Sequence, residues 1–416
     1  MTDSEHSEYS VTAFGASSGT NTEDTSAIQA AIDQCGDLGG GTVVFPPGEY
    51  VTAPVFLRDN ITVRIEAGAT VLGSLDIADY PATDGRWEGY EREVYASLFT
   101  GHDLSNVAIT GRGTIDARGQ PWWKAYEDAS ASHTLGRDNP YPAGLQLEYP
   151  RPRIVNLYSC ENVLIEGVTI RNSPAWTLHF VYCEGVTVRD ATIINPFDTP
   201  NTDGINPDSS RNISIYDCDI SVGDDCIALK SGCDEQGRKI GEPCENVTIS
   251  NCRMTGGYCG LAIGSETAGD IRNVTLSNCI FNRLLSGVRI KSKQGRGGIV
   301  ENINVASTIF SQISQNAVEL TMFFGGDDPA KPVDSDGTPT FDNFSFSDLI
   351  VDTVEHLIKV DGLPDSPIRR ISFSGIRGKD IGSPGTIERA IDVRIMAELD
   401  NIEDLAVSES ENVRVV

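Results

Sequence analysis

No run of apolar residues approaches the ~18 that a membrane-spanning helix needs, so no such span is read. Lysine is scarce, at 8 residues against 24 arginines, and 60 acids leave a formal charge of −28. A phosphate binder needs a basic face, so nucleic acid is not an expected partner. Only five histidines occur, scattered along the chain, and the ten cysteines form no C-x-x-C pair. A zinc site is therefore not expected, and neither metal nor cofactor is read from the composition. Ten cysteines in 416 residues are also too thin for a disulfide scaffold. Met1-Thr-Asp-Ser-Glu-His-Ser-Glu has no basic or apolar leader segment and no twin arginine. The expectation is a cytoplasmic protein with reduced thiols. Many acids, few lysines and no long acidic tail point to an acidic surface spread over a folded body. Such a surface suits a protein working in high salt, as in a halophile; the alternative is an ordinary acidic protein.

Aromatics are 7% and glycines number 41, which favours a glycine-punctuated β protein. One phrase recurs: Asn60-Ile-Thr-Val, Asn106-Val-Ala-Ile, Asn162-Val-Leu-Ile, Gly185-Val-Thr-Val, Asn212-Ile-Ser-Ile, Asn246-Val-Thr-Ile, Asn273-Val-Thr-Leu, Asn302-Ile-Asn-Val and Asn343-Phe-Ser-Phe. From Asn162 the steps are 23, 27, 34, 27, 29 and 41 residues. Each phrase alternates apolar and polar residues and follows a turn-type residue. Short strands at such a period mean a solenoid whose coils pair in parallel, roughly 4.8 Å apart. Asn before the strand suits a left-handed turn or a stacked ladder. The Asn-x-Ser/Thr matches at Asn212, Asn246, Asn273 and Asn343 lie inside this phrase and are discounted as glycosylation sites. Cys160, Cys183 and Cys244 precede the phrase at one position and read as stacked packing.

The spacing predicts a helix over 24–36, with a Gly39-Gly-Gly stop, covering the open end of the first coil. The expected organisation is a single domain over 1–416, with the clearest coils over 160–380. Asp76–Tyr95, Lys124–Pro150, Ser231–Pro243 and Phe323–Asp342 lack the phrase and read as polar insertions around a binding face. Trp122-Trp123 fits either a sugar-stacking platform or a buried pair closing the first coils. His179 reads as packing.

The densest acidic constellation is Asn201-Thr-Asp203-Gly204 followed by Gly223-Asp224-Asp225-Cys226. Asp203 precedes Asp224 by 21 residues, close to one coil. Crowded carboxylates raise one another's pKa, so one can act as acid while another acts as base. Hydrolysis of a glycosidic bond needs that division. Turn-forming or Ca²⁺-binding aspartates are the alternative. Further on, Arg289-Ile-Lys291-Ser-Lys293-Gln-Gly-Arg296 gathers four cations in eight residues. Alternation puts Arg289 and Lys291 on one strand face, which suits an anionic sugar; partner cations for nearby acids are the other reading.

In this order Asn201-Thr-Asp-Gly, Gly223-Asp-Asp-Cys, Gly257-Tyr-Cys-Gly-Leu-Ala-Ile-Gly-Ser265 and Arg289-Ile-Lys291 resemble the four motifs of polygalacturonases, glycoside hydrolase family 28. Phe14-Gly-Ala, Asp24-Thr-Ser-Ala-Ile-Gln, Gly39-Gly-Gly-Thr-Val-Val-Phe-Pro-Pro-Gly-Glu-Tyr and Gly111-Arg-Gly-Thr-Ile-Asp extend the similarity over nearly the whole chain. The resemblance implies an all-β, right-handed parallel β-helix with an N-terminal capping helix. It implies inverting hydrolysis of α-1,4-linked galacturonate, with no metal or organic cofactor. Asp224 would be the general acid, and Asp203 and Asp225 would hold and activate the water. Arg289 and Lys291 would bind a substrate carboxylate, Asn201 would support the cleft, and Cys259 and Gly260 of the third motif would bind substrate.

Two departures stand out. The third motif usually reads Gly-His-Gly in that family, and Cys259 stands in the histidine's place. The family often carries an aromatic hydroxyl one coil after the Arg-Lys pair, where this chain reads Met322-Phe323-Phe324. The expected partner is a galacturonate-containing oligo- or polysaccharide. A protein inside the cell would meet oligomers, which favours exo-cleavage. Three alternatives stay open: another pectic linkage (rhamnogalacturonan or xylogalacturonan), a weak or inactive acidic-glycan binder, and a lyase.

Overall fold

The computed structural model describes residues 7–19, 23–131, 149–325, 337–398 and 402–416. The chain forms two compact units, Met1–Trp87 with Glu91–Ile205 and Glu88–Tyr90 with Asn206–Val416. Both are built from the coil foreseen in the repeated phrase, so the fold class is the expected parallel β-helix.

In the first unit, Gly41–Phe45, Ile61–Ile65, Ser105–Gly111, Glu161–Glu166 and Glu184–Arg189 pair in parallel, each with the coil before it. The register aligns Val43, Val63, Ile109, Ile165 and Val188 in one buried column. The second unit continues the same way. Ile213, Val247, Val274, Ile303, Phe344, Ile371 and Val393 form its column. A side chain on every second residue points inward, and each buried aliphatic contributes roughly 1.5–3 kcal/mol. The 23-residue step of the sequence is the Val163-to-Val186 register of neighbouring coils.

The phrase asparagines take both conformations expected of them. Asn60, Asn106 and Asn162 have φ of 60°, 58° and 54°. Their amides stack, Asn106 Nδ2 donating to Asn60 Oδ1 at 2.7 Å and Asn162 Nδ2 to Asn106 Oδ1 at 2.6 Å. In the second unit the ladder runs Asn212, Asn246, Asn273, Asn302, Asn343, at 2.8–3.2 Å per rung. Asn tolerates this left-handed region because its short amide bonds locally. All ten cysteines are buried thiols outside any disulfide.

Helix α1 (Thr25–Asp37) lies within one residue of the predicted span. Its buried face is Ile28, Ala31, Ile32 and Cys35. Gln29 shows how it covers the coil: Oε1 accepts from Phe56 N at 2.8 Å and Nε2 donates to Phe56 O at 2.9 Å. These bonds satisfy backbone groups that a preceding coil would otherwise satisfy. Asp24 does not cap the helix; its Oδ1 accepts from Ser17 N at 2.8 Å.

The insertions carry structure that their polar composition concealed. Asp76–Tyr95 holds a two-stranded hairpin, Ala82–Trp87 with Tyr90–Tyr95. Helix α2 (Gln120–Ala131) opens the next insertion, whose residues 132–148 lie outside the described ones. Helix α3 (Asp234–Ile240) fills the third, and residues 326–336 of the fourth are not described. Trp122 and Trp123 are the buried pair, with Trp122 edge-on to Tyr80 and Tyr95 at 5.0 and 5.1 Å. His179 is fully buried, edge-on to Trp176 at 4.9 Å, as packing requires. Among the described residues, no helix is long and apolar enough to cross a membrane.

Candidate active site

Asn201 and Asp203 lie in the first unit. Asn201 sits in the left-handed region at φ 54°, and its Oδ1 accepts from Arg151 Nη2 at 2.7 Å. Arg151 also donates to the carbonyls of Pro174 and Pro200, both at 2.8 Å, so one buried guanidinium fixes this turn. Asp203 is 3% exposed, and its carbonyl accepts from Thr177 N at 2.8 Å.

The second unit brings together Asp224, Asp225, Cys259, Arg289 and Lys291. Asp224 and Asp225 precede the Ile227–Leu229 strand. Asp224 is partly exposed and Asp225 is 3% exposed. Oδ1 of Asp224 accepts from the backbone N of Asp225 at 3.0 Å. Lys291 ends the Ser286–Lys291 strand and donates from Nζ to Oδ2 of Asp225 at 3.1 Å. Oδ1 of Asp225 is buried and accepts from no nitrogen or oxygen donor among the described residues. The Cys259 thiol is the remaining donor facing this carboxylate.

These contacts drive the two carboxyls apart. Burial, then the adjacent Asp225 charge, pushes the Asp224 carboxyl up to about 6. Burial would also raise Asp225, but Lys291 and Lys230 outweigh it and hold that carboxyl below its ordinary value. Burial lowers Lys291, yet Asp225 together with Cys259 and Asp224 more than offsets this and its ammonium stays protonated. Burial and the Asp225 charge push the Cys259 thiol well up, so it is a neutral donor. The outcome is one carboxyl poised to give a proton beside one fixed as an anion.

Cys259 and Gly260, expected as substrate contacts, are placed elsewhere. Cys259 is 1% exposed behind Asp225. Gly260 turns toward the core, where an added Cβ would lie 2.8 Å from ring carbons of Phe281. Its missing side chain makes room for that ring. Arg289 does share the outward face with Lys291, as alternation required, and is 24% exposed at its side chain. Its Nε lies 3.0 Å from Oε2 of Glu319. Phe324 covers both cations, its ring centre 5.9 Å from Arg289 Cζ and 5.3 Å from Lys291 Nζ. An aromatic ring without a hydroxyl thus stands at the pair, as Met322-Phe323-Phe324 foretold.

Sequence reasoning missed Lys230, Glu266, Glu319 and Lys359. Lys230 Nζ and Glu266 Oε2 form a buried pair at 2.9 Å, and Lys230 also acts on both aspartates. With eight lysines in the chain, one lying six residues after Asp224 was the available signal. Among the described residues no cluster of His, Cys, Asp or Glu could hold a metal ion.

A parallel solenoid carrying a proton-holding and an ionised carboxyl beside cations is the arrangement of a carbohydrate-cleaving hydrolase. Comparison with known proteins gives the family. The sequence model of Glycosyl hydrolases family 28 matches residues 49–334, and the chain belongs to that family. It is 32% identical over 373 residues to a probable polygalacturonase of Vitis vinifera, covering 87% of this chain and 72% of that protein. An exo-poly-alpha-D-galacturonosidase of Dickeya chrysanthemi is 28% identical over 405 residues, covering 89% and 65%. The crystal structure of a hyperthermoactive exopolygalacturonase from Thermotoga maritima superposes with a TM-score of 0.81 at 27% identity, covering 97% of this chain and 92% of that one.

Proposed function

We propose that this glycoside hydrolase cleaves α-1,4-linked galacturonate in pectic oligosaccharides with inversion, removing residues from a chain end. The observation that carries this reading is the adjacent pair Asp224 and Asp225 with the Lys291 ammonium 3.1 Å from Asp225 alone, which pushes their carboxyls in opposite directions. Asp224 gives its proton to the leaving glycosidic oxygen. Asp203 and Asp225 are assigned by motif position to the attacking water. Arg289 and Lys291 supply positive charge for the substrate carboxylate, with Lys291 also anchoring Asp225. Asn201 supports the turn that carries Asp203. Exo-action is supported by the exo-acting relatives from Dickeya and Thermotoga.

Product analysis on digalacturonate, trigalacturonate and polygalacturonate tests the reading. Saturated monogalacturonate of inverted anomeric configuration is expected, with Asp224→Asn slowing release by about 10²–10⁴. Mid-chain cuts in the polymer would remove exo-action. An unsaturated product would replace the hydrolase with a lyase. Binding without turnover, unaffected by Asp224→Asn, would make the protein a glycan binder.

A further inference from the structure

Arg289 is held from behind by a charge column. The parallel register puts Arg289 opposite Glu319 and Glu319 opposite Lys359 on three successive coils. Residues in such a column stand roughly 4.8 Å apart, so a plus–minus–plus order is attractive at each step. Glu319 is the buried member, with its side chain 2% exposed against 24% for Arg289 and 41% for Lys359. A carboxylate buried to that degree is tolerated only when its oxygens are paired. Oε1 lies 3.0 Å from Lys359 Nζ. Oε2 lies 3.0 Å from Arg289 Nε and accepts from Asn316 Nδ2 at 3.3 Å.

This ion pair lies on the Nε side of Arg289, close enough for charge attraction but without hydrogen-bond alignment at Nε itself. Among the described residues its terminal nitrogens make no hydrogen bond. The guanidinium is planar, so an ion pair on one edge and Phe324 near one face restrict the directions open to the remaining fork. A carboxylate matches that fork with two parallel bonds. Without an anchor, a long arginine side chain must be ordered by the substrate itself, at the expense of binding.

We propose that Glu319 is a positioning residue for substrate binding: it holds Arg289 so that the terminal nitrogens meet the substrate carboxylate already oriented. Lys359 and Asn316 keep Glu319 in place from its other sides. This rests on the reading of Arg289 as the ligand of a galacturonate carboxylate.

The test is a double-mutant cycle on trigalacturonate with Arg289→Lys and Glu319→Gln, recording KM and kcat separately. Arg289→Lys is expected to raise KM at least tenfold. Glu319→Gln is expected to raise KM roughly tenfold with kcat within about twofold, the effect of one lost charge-assisted contact. In the Arg289→Lys background Glu319→Gln should add little. Additive losses, or a lower melting temperature with KM unchanged, would overturn the proposal while leaving the role of Arg289 intact. An unchanged KM in Arg289→Lys would instead overturn the reading of Arg289, and this inference with it. If Glu319→Gln fails to fold, Glu319→Asp keeps the charge but retracts it by one methylene, and the same KM comparison applies.

Discussion

Lys291 sets its ammonium 3.1 Å from Oδ2 of Asp225, one residue beyond Asp224, which has no such cation at its own oxygens among the described residues. That asymmetry divides two chemically identical side chains. Asp225 is stabilised as an anion, and its charge then helps keep Asp224 protonated. Lys291 therefore acts on Asp224 through the neighbouring residue as well as directly.

The rate should follow the Asp224 proton. With that carboxyl at about 6, kcat is expected to fall as pH rises through about 6, tenfold per unit beyond it. Lys291 also lowers the Asp224 value directly, so with Lys230 still holding Asp225 ionised, Lys291→Met should move the alkaline limb of the surviving activity to higher pH. Stability carries the same sign. The folded-state value lies above the ordinary carboxyl value, so the contribution of Asp224 is fully present below the unfolded value and lost as pH rises through about 6. Melting temperatures of wild type and Asp224→Asn between pH 4 and 8 check this. A gap that does not change across pH 6 would contradict the assignment.

Cys259 should matter through Asp225. Its neutral thiol faces a buried anion and helps hold it below its ordinary value, so Cys259→Ala removes one of the few groups that favour that anion. A loss in kcat of roughly tenfold is expected, with Cys259→Ser closer to wild type because a hydroxyl can still donate. The same burial should make the native protein unreactive to an aromatic disulfide reagent. All ten thiols should appear only after denaturation. Fast labelling of native Cys259, or an alanine variant with unchanged kcat, would reduce this residue to packing.

The asparagine ladder predicts paired effects on stability. Asn273→Ala removes two rungs, to Asn246 at 3.1 Å and from Asn302 at 3.0 Å, and forces a Cβ-bearing residue without an amide to φ 57°. A loss of roughly 1–3 kcal/mol is expected. Gly185 is the converse case. It holds the ladder position one coil after Asn162 at φ 70°, and an added Cβ would meet Asn162 only at ordinary contact distance, 3.8 Å. Gly185→Asn should let a new amide donate to Asn162 Oδ1, stabilising by up to about 1 kcal/mol. Urea unfolding of both variants measures this; a destabilising Gly185→Asn would show the rungs to be worth less than the backbone freedom of glycine.

The coil was legible because it repeats: Val163 and Val186 occupy equivalent places in the chain and in space. The same held for Asp224, Asp225, Arg289 and Lys291, whose neighbours in sequence already suggested their chemistry. What was illegible joins neighbouring coils through pairs that do not repeat. Lys230 meets Glu266 across 36 residues and Lys359 meets Glu319 across 40, through loop lengths that no local pattern encodes. Helices α2 and α3 were hidden for another reason: short insertions carry too few apolar positions to show a helical period. Gly260 misled because a motif glycine can serve a ligand or a ring, and only the approach of Phe281 separates the two.

Salt should aid this enzyme. The chain carries a formal charge of −28, and a galacturonate oligomer is itself an anion. At low ionic strength the two repel over a Debye length of about 30 Å, which shortens to about 3 Å at 1 M. On the proposed reading, the attraction needed for binding acts over contact distances at Arg289 and Lys291, partly sheltered from solvent, and is screened far less. Raising sodium chloride toward 1 M is therefore expected to lower KM for trigalacturonate several-fold by easing encounter. It should also raise the melting temperature by screening self-repulsion. A neutral substrate analogue lacking the carboxylates should show only the second effect. An enzyme that binds trigalacturonate best with no added salt would mean that the local field of Arg289, Lys291 and Lys230 dominates the approach, despite the acidic surface.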